Sequence, residues 1–195
     1  MNLFLSMAAF ALAASISPGP VNLVSLGAGA RHGLRVALRH VAGATLGFIL
    51  LLVLVGLGLH EVLSQWPWLT RGIRLAGVVF LLYMAWRLAA DDGALQPGDG
   101  VRVASFLHGA LMQWLNPKAW LAAIAGMGAF VADGDVLLVW QFAAIYGVVC
   151  YLSLACWAYA GTCLRPCLQE ARRVRVFNRV LAGLLVGSAV YLLLV

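Results

Sequence analysis

The sequence predicts an all-α integral membrane protein whose six transmembrane helices form two inverted three-helix repeats, with the first helix of each half broken at a proline. Composition supports this first: 64% of the 195 residues are hydrophobic and only 10% are charged, unlike soluble domains. Second, all seven carboxylates lie between or at the ends of long apolar runs, as expected where a charge at the bilayer centre costs about 2.5–3.5 kcal/mol. Third, two proline-interrupted stretches lie about half a chain apart.

Six apolar segments are long enough to cross the hydrocarbon core, which takes about 20 residues of helix. The connections between them are short, and only residues 90–102 form a polar linker rich in Gly, Pro and Asp. This linker divides a single transmembrane domain, residues 1–195, into a first half (1–89) and a second half (103–195). The predicted segments are Leu3–Ala30, Val36–Leu59, Trp68–Ala89, Phe106–Ala132, Val136–Leu164 and Val176–Val195.

The distribution of basic residues predicts the orientation in the membrane. With six spans, the odd-numbered connections share one face and carry ten of the thirteen Lys and Arg residues. By the positive-inside rule this face is cytoplasmic, so both termini are expected on the opposite side. Because these cations lie at helix ends, we interpret the net charge of +6 as an orientation signal and not as a nucleic-acid-binding surface. The ten cations are Arg31, Arg35, Arg39, Arg87, Arg102, Arg165, Arg172, Arg173, Arg175 and Arg179.

The hexapeptide Ser17–Asn22 interrupts the first apolar segment. Each of its two prolines removes a backbone donor and clashes with the preceding turn, and Gly19 between them weakens any remaining helical preference. A capping serine before proline is typical of a helix start, so we predict that one helix ends near Ile16 and that another begins with Ser17 as N-cap and Pro18 at N1. In hydrocarbon, such a break persists only where the freed backbone groups are buried in protein or line a cavity.

A second break, at Asn116-Pro117-Lys118, interrupts the fourth segment. In inverted halves, the two helix starts would approach one central site with their free N–H groups and positive dipole ends. Such a site suits an anionic group such as a carboxylate, with the charge of Lys118 beside it and amide groups for the rest of a ligand. The predicted substrate-binding residues are Ser17, Pro18, Gly19, Pro20, Asn22, Asn116, Pro117 and Lys118.

Several other features have both a structural and a functional interpretation. Proline kinks also occur where they only shape packing, and aromatic residues such as Tyr146 are interpreted as packing residues, with cavity lining as the alternative. His40 and His108 lie near helix ends, where a histidine is usually solvated but is also able to relay protons. Gly43-x-x-x-Gly47 and Gly183-x-x-x-Gly187 indicate faces for close helix packing, and a homodimer through such a face is a further expectation. The four cysteines lack a His or acidic companion, so neither a metal nor a cofactor is expected.

Three motifs extend the interpretation beyond single residues. Ser-Pro-Gly-Pro-Val-Asn at 17–22, Leu-Asn-Pro-Lys-Ala at 115–119 and Leu-Ala-Gly at 75–77 with Tyr83 together resemble the LysE/RhtB family of bacterial amino-acid exporters. The resemblance extends over essentially the whole chain. It implies a secondary transporter of the bacterial inner membrane that exports amino acids and is driven by the ion gradient. We therefore expect export of an amino acid or close derivative by alternating access, with the proton gradient as the driving force and, from the arginine distribution, both termini periplasmic. Carried over by position, the family's motif residues are Pro18, Gly19, Pro20, Asn22, Asn116, Pro117 and Lys118.

The chain departs from the family pattern at two places. Many members have Pro-x-Phe after the fourth helix, where this chain has Gly128-Ala129-Phe130, and many have an aspartate in the fifth helix, where Tyr151 stands. Because no predicted span contains a carboxylate, we favour neutral over cationic amino acids as substrates.

Two other classes of protein were weighed. An intramembrane protease requires a Ser–His or paired-Asp arrangement, and the predicted spans contain no acid, so no catalytic residue is predicted. A structural or assembly subunit accounts for the helices and the glycine faces but leaves Lys118 and the paired breaks without a role. The expected partners are therefore an amino-acid substrate and the lipid bilayer, and no nucleic acid.

Overall fold

The computed structural model describes residues 3–59, 65–90, 105–131, 135–168 and 170–194. Regular structure in these ranges is helical throughout, which confirms the all-α prediction. The predicted linker at 90–102 lies outside the described residues apart from Ala90, as do five of the seven carboxylates.

In the described ranges the chain forms eight α-helices, numbered here in chain order. The helix α3 continues into a π-helical segment, Val55–Leu59, and α7 continues into a 3-10 turn, Arg165–Leu168. The helices are α1 (Leu3–Ile16), α2 (Pro20–His32), α3 (Leu34–Leu54), α4 (Pro67–Ala89), α5 (Phe106–Trp114), α6 (Pro117–Phe130), α7 (Val136–Leu164) and α8 (Ala171–Leu194).

Among the described residues, two helices are long and apolar enough to cross a membrane by themselves, Leu34–Gly58 and Val136–Leu168. The pair α1 and α2, bent by 63°, makes a third if it is one span. The break at Asn116 divides the fourth predicted segment into helices of 9 and 14 residues, each too short to cross the hydrocarbon core alone. The six predicted spans therefore stay a prediction.

The first break lies where the sequence predicts it, but its helix start is shifted by two residues. α1 ends at Ile16 as predicted, whereas α2 has Gly19 as N-cap and Pro20 at N1, so the prediction of Ser17 as N-cap and Pro18 at N1 is wrong. The Ser17 hydroxyl instead donates to the carbonyl of Ala14, at 3.1 Å. A serine hydroxyl readily bonds back to the preceding turn, and here that bond attaches Ser17 to the end of α1.

The second break has the predicted cap. Asn116 is the N-cap of α6, its side-chain oxygen accepts a hydrogen bond from the backbone N–H of Lys118 at 3.1 Å, and Pro117 occupies N1. One orphan donor of the new helix is thereby satisfied. The chain thus stops one helix and starts another within two residues, Leu115 and Asn116.

Glycines allow the central helices to approach closely. α1 and α2 pack along α7, α5 packs along α3, α3 packs on α7, and α4 pairs with α8. A Cβ at Gly43 would lie 1.9 Å from the carbonyl oxygen of Phe106, and one at Gly47 would lie 2.7 Å from the Cα of Ala110. Gly43-x-x-x-Gly47 therefore has the predicted packing role, and the helix that packs against it is α5. Gly183 and Gly187 differ, because no described atom lies within 4 Å of the position that a Cβ would take there.

Candidate functional site

Lys118 connects the two helix breaks. Its ammonium donates to the carbonyl oxygen of Ser17 at 2.6 Å, to the hydroxyl of Ser17 at 2.8 Å and to the carbonyl of Pro18 at 3.4 Å. The Ser17 hydroxyl in turn donates to Ala14, so it bridges the lysine and the last turn of α1. The first residues of α6 are thereby held against the last residues of α1.

This contact gives Lys118 a different partner from the one predicted. In the predicted site, the charge of Lys118 lies beside two helix starts and an anionic ligand. In the structure its ammonium binds carbonyl groups at the C-terminal end of α1, where unpaired carbonyls and the negative end of the helix dipole favour a cation. The end of α1 is therefore a site for an ammonium group.

Gly19 makes room for the lysine. The backbone at Gly19 is extended (φ −166°), a conformation open to any residue, so its dihedral angles do not require glycine. A Cβ at this position would lie 3.1 Å from the Cδ and 3.2 Å from the Nζ of Lys118. The missing side chain therefore matters because of the neighbouring lysine.

Other side chains donate hydrogen bonds to the backbone carbonyls that have no helical partner at the breaks. The Asn22 amide donates to the carbonyl of Ser15 at 2.8 Å in a buried position, and the Trp157 indole donates to that of Ile16 at 3.1 Å. At the second break the Trp120 indole donates to the carbonyl of Trp114 at 2.8 Å. These bonds are what a broken helix requires where water is excluded.

A small cavity lies beside Lys118. Its volume is about 40 Å³, and a single water needs at least about 10–15 Å³, so it holds up to about three waters and no whole amino acid. Both halves of the chain line it. The polar lining residues are Ser15, Asn22, Gln113, Asn116, Lys118, Tyr146 and Cys150, and the apolar ones are Ala14, Val21, Phe48, Ala119, Ala122 and Leu154.

The structure brings the predicted site residues together in two ways. Asn22, Asn116 and Lys118 line the cavity. Ser17 and Pro18 face the lysine through their carbonyls. The remaining three, Gly19, Pro20 and Pro117, do not line the cavity but shape the backbone around it, with the two prolines at the N1 positions of α2 and α6.

Sequence reasoning missed part of the lining. Tyr146 was expected to pack, and it does pack on Phe48 with ring centroids 4.5 Å apart, but it also borders the cavity. Ser15, Gln113 and Cys150 were not singled out as site residues. The available signal was a single polar residue within an otherwise apolar helix, which is weak by itself.

Comparisons with a family model and with individual relatives agree with each other. The family model described as LysE type translocator matches residues 12–195. The chain is 28% identical over 188 residues to proteins of Escherichia coli and Shigella flexneri named cysteine/O-acetylserine efflux protein, and 29% identical to the Salmonella choleraesuis protein of that name. Each match covers 93% of this chain and 92% of the relative. No solved structure shows significant similarity.

Proposed function

We infer the function of this chain from the family to which it belongs, the LysE type translocators. It is a membrane transporter and not an enzyme. We propose that it exports a small amino acid or a close derivative across the bacterial inner membrane by alternating access, driven by the proton gradient. The observation that carries the proposal is the meeting of two helix breaks at Lys118, beside a polar cavity that both halves line.

The relatives support a choice of substrate class. Proteins that match almost the whole chain are named cysteine/O-acetylserine efflux proteins. The described helices carry no carboxylate that would pair with a cationic side chain. We therefore propose a small neutral amino acid of the cysteine or O-acetylserine type as the substrate.

We propose that α1–α2 and α5–α6 are each one broken span and that α3, α4, α7 and α8 complete a six-helix inverted repeat. The packing pattern supports this arrangement. α1–α2 lies on α7 and its counterpart α5–α6 lies on α3, while α3 pairs with α7 and α4 pairs with α8. A two-fold axis that exchanges the halves would convert the first pair into the second and would leave the other two pairs unchanged.

The orientation proposed from the arginines also has structural support. A Cβ at Gly33 would lie 3.3 Å from a guanidinium nitrogen of Arg165, and the hydroxyl of Thr162 donates to the carbonyl of Gly29. The α2–α3 and α7–α8 connections therefore lie at the same end of the bundle. We propose that this arginine-rich end is cytoplasmic, that both termini are periplasmic, and that lipid covers exposed apolar residues such as Leu152 on α7.

The contact at Lys118 suggests how a zwitterionic amino acid binds. The carbonyls of Ser17 and Pro18, which now accept from the lysine, suit the substrate's α-ammonium group. The starts of α2 and α6 suit its carboxylate, as does the ammonium of Lys118 once it is released. In this proposal the α-ammonium of the substrate replaces the ammonium of Lys118 at these carbonyls. Because the cavity is smaller than an amino acid, the halves have to separate at this contact for the substrate to enter.

The proposed homodimer places a second copy of the chain against α8. Gly183 and Gly187 lie one turn apart, and the space above both is open in the described chain. Exposed Val180 and Leu184 flank them. Glycines at this spacing allow two membrane helices to approach closely.

An export assay in cells tests the proposal. Cells with and without this protein are preloaded with labelled cysteine, O-acetylserine, leucine and lysine, and the loss of each compound is followed. We expect faster loss of O-acetylserine or cysteine, no effect on lysine, and a return to the background rate when the proton gradient is dissipated. Unchanged efflux of all four compounds, with the protein shown to be in the membrane, would contradict the proposal and favour a structural subunit.

A further inference from the structure

His40 and His108 face each other across the boundary between the two halves. His40, on α3, has no exposed surface, and neither of its ring nitrogens makes a hydrogen bond in the described part of the chain. Its ring centroid lies 5.7 Å from that of His108 on α5, with 37° between the ring planes. The expectation that both histidines are solvated is therefore wrong for His40.

Close helix packing keeps water away from His40. A Cβ at Gly109 would lie 2.3 Å from the backbone carbonyl of His40, so α5 and α3 are in backbone contact next to the rings. The ring of Phe80 on α4 lies 5.7 Å from the ring of His108. A buried imidazole without a hydrogen-bond partner is unfavourable compared with an apolar side chain of similar size, so its presence calls for an explanation.

We propose that His40 and His108 form the proton-binding site through which the proton gradient drives export, an inference that rests on the proposed function. With their ring centroids 5.7 Å apart, the two imidazoles are close enough to share one added proton, with a nitrogen of the protonated ring donating to a nitrogen of the neutral one. Two imidazolium charges in an apolar site repel each other, so the pair holds one proton. Histidine is also the side chain whose charge changes most readily near neutral pH.

Other ionisable groups near α3 do not form an alternative pair with His40. Among the described residues, His108 is the ionisable side chain that interacts electrostatically with it, and the backbone of Ser105 lies nearby without meeting hydrogen-bond geometry. Lys118 on α6 is engaged with Ser17, and the described helices packed against α3 carry no carboxylate. The other ionisable residues on α3 and on the helices around the pair are Arg35 and Arg39 on α3, Arg31 and His32 on α2, Arg71, Arg74, Tyr83 and Arg87 on α4, and Tyr146, Cys150, Tyr151, Cys156, Tyr159 and Cys163 on α7.

The position of the pair links it to the substrate site. His108 lies on α5, ten residues before Lys118, and α5 ends at Trp114 beside the second break. A proton added between α3 and α5 places a charge in an interface built for backbone contact, and it favours a state in which the two helices separate. Separation moves the break that carries Asn116 and Lys118. Proton binding and substrate binding then bias the same movement of one half against the other, which is what coupling requires.

Two assays in liposomes that contain the purified protein distinguish proton coupling from substrate exchange. Counterflow of labelled O-acetylserine at equal pH measures binding and exchange alone, whereas accumulation against an imposed pH gradient measures proton coupling. For one proton per substrate, a gradient of one pH unit supports about a tenfold accumulation. We expect His40→Gln and His108→Gln to abolish this accumulation and to retain counterflow. His32→Gln is the matched control, because His32 lies at the end of α2 outside the pair, and it is expected to behave as wild type.

Each outcome bears on one proposal or the other. If His40→Gln still accumulates substrate with the pH gradient, the histidine proposal is wrong. If His40→Gln loses counterflow as well, His108→Gln decides, because His108 is only partly buried and tolerates replacement better. Loss of accumulation alone in that variant supports the pair, and loss of both activities overturns it. A wild-type protein without counterflow of any tested amino acid would contradict the proposed function itself, and with it the coupling role of the pair.

Discussion

The ammonium of Lys118 lies 2.6 Å from the carbonyl oxygen of Ser17, a residue 101 positions earlier in the chain. A lysine has three donors, and the three acceptors present here are the carbonyl and hydroxyl of Ser17 and the carbonyl of Pro18. An ammonium within an apolar helix needs such partners. The contact therefore gives hydrogen-bond partners to the lysine ammonium and to the carbonyls at the end of α1. It also joins the two halves of the chain.

Replacement of this lysine tests its role most directly. We expect Lys118→Met to abolish export and to leave a folded protein in the membrane, destabilised by about 1.5–3 kcal/mol for each hydrogen bond to the ammonium that is not replaced. Removal of a charge from apolar surroundings offsets part of this loss. Ser17→Ala should have a milder effect, because two of the three acceptors are backbone carbonyls. Efflux rates and membrane abundance measured together distinguish the variants, and normal transport by Lys118→Met would contradict the proposed site.

A methyl group at position 19 should disturb the same contact without removing the charge. Gly19→Ala places a Cβ 3.1 Å from the Cδ of Lys118, and the flexible lysine can yield by a few tenths of an ångström. We expect a folded protein with slower export, and a stronger effect for Gly19→Val. Gly128→Ala is the control, because nothing described lies within 4 Å of that position. Equal export by Gly19→Val and wild type would show that the lysine does not need this space.

The breaks themselves were predictable because proline acts locally. Neither Pro20 nor Pro117 can continue a preceding helix, and each is well suited to N1. The first break, however, contains two prolines, and local rules allow a helix start at either one. The choice depends on distant residues: Lys118 binds the carbonyls of Ser17 and Pro18, and this leaves the start of α2 at Pro20.

The candidate site was predictable where a residue carries a charge or belongs to one of the two proline motifs. Lys118, Asn116 and Asn22 meet that condition. Ser15, Gln113 and His40 do not, because which face of its helix each residue presents depends on how the helices pack. The glycine contact between Gly109 and the backbone of His40 that buries this histidine joins residues far apart in sequence, and no local pattern specifies it.

The two glycine motifs should respond differently to the same substitution. Gly43→Ala forces a methyl group into the backbone of α5, and we expect a loss of stability of about 1–3 kcal/mol, as for other overpacked interiors. Within a single chain, Gly183→Ala meets open space and gains helix propensity, so the stability of the monomer should stay the same or rise by up to about 1 kcal/mol. Thermal unfolding in detergent measures both. Equal midpoints for the two variants would contradict the close approach of α3 and α5.

A bulky residue on the exposed face of α8 tests the homodimer. We expect Gly183→Leu to convert a dimer to a monomer, because the close approach of two helices requires the glycine. Gly128→Leu provides a matched control, since its surroundings within the described chain are equally open but it lies on α6. Fluorescence energy transfer between labelled copies in liposomes reports the change. Loss of fluorescence energy transfer in both variants, or in neither, would contradict an interface at α8.

Asn116 allows its structural role to be separated from a role in substrate binding. Asn116→Ala removes the N-cap of α6 and should cost about 1 kcal/mol of stability. Asn116→Ser restores a capping oxygen but not the amide, which borders the cavity and donates to the Gln113 side chain at 3.4 Å. If the amide contacts substrate, Asn116→Ser recovers stability while the substrate concentration for half-maximal efflux remains raised. Recovery of both quantities would make Asn116 only a cap, and the polar part of the substrate would then have to be bound by Asn22, Gln113 or Tyr146 instead.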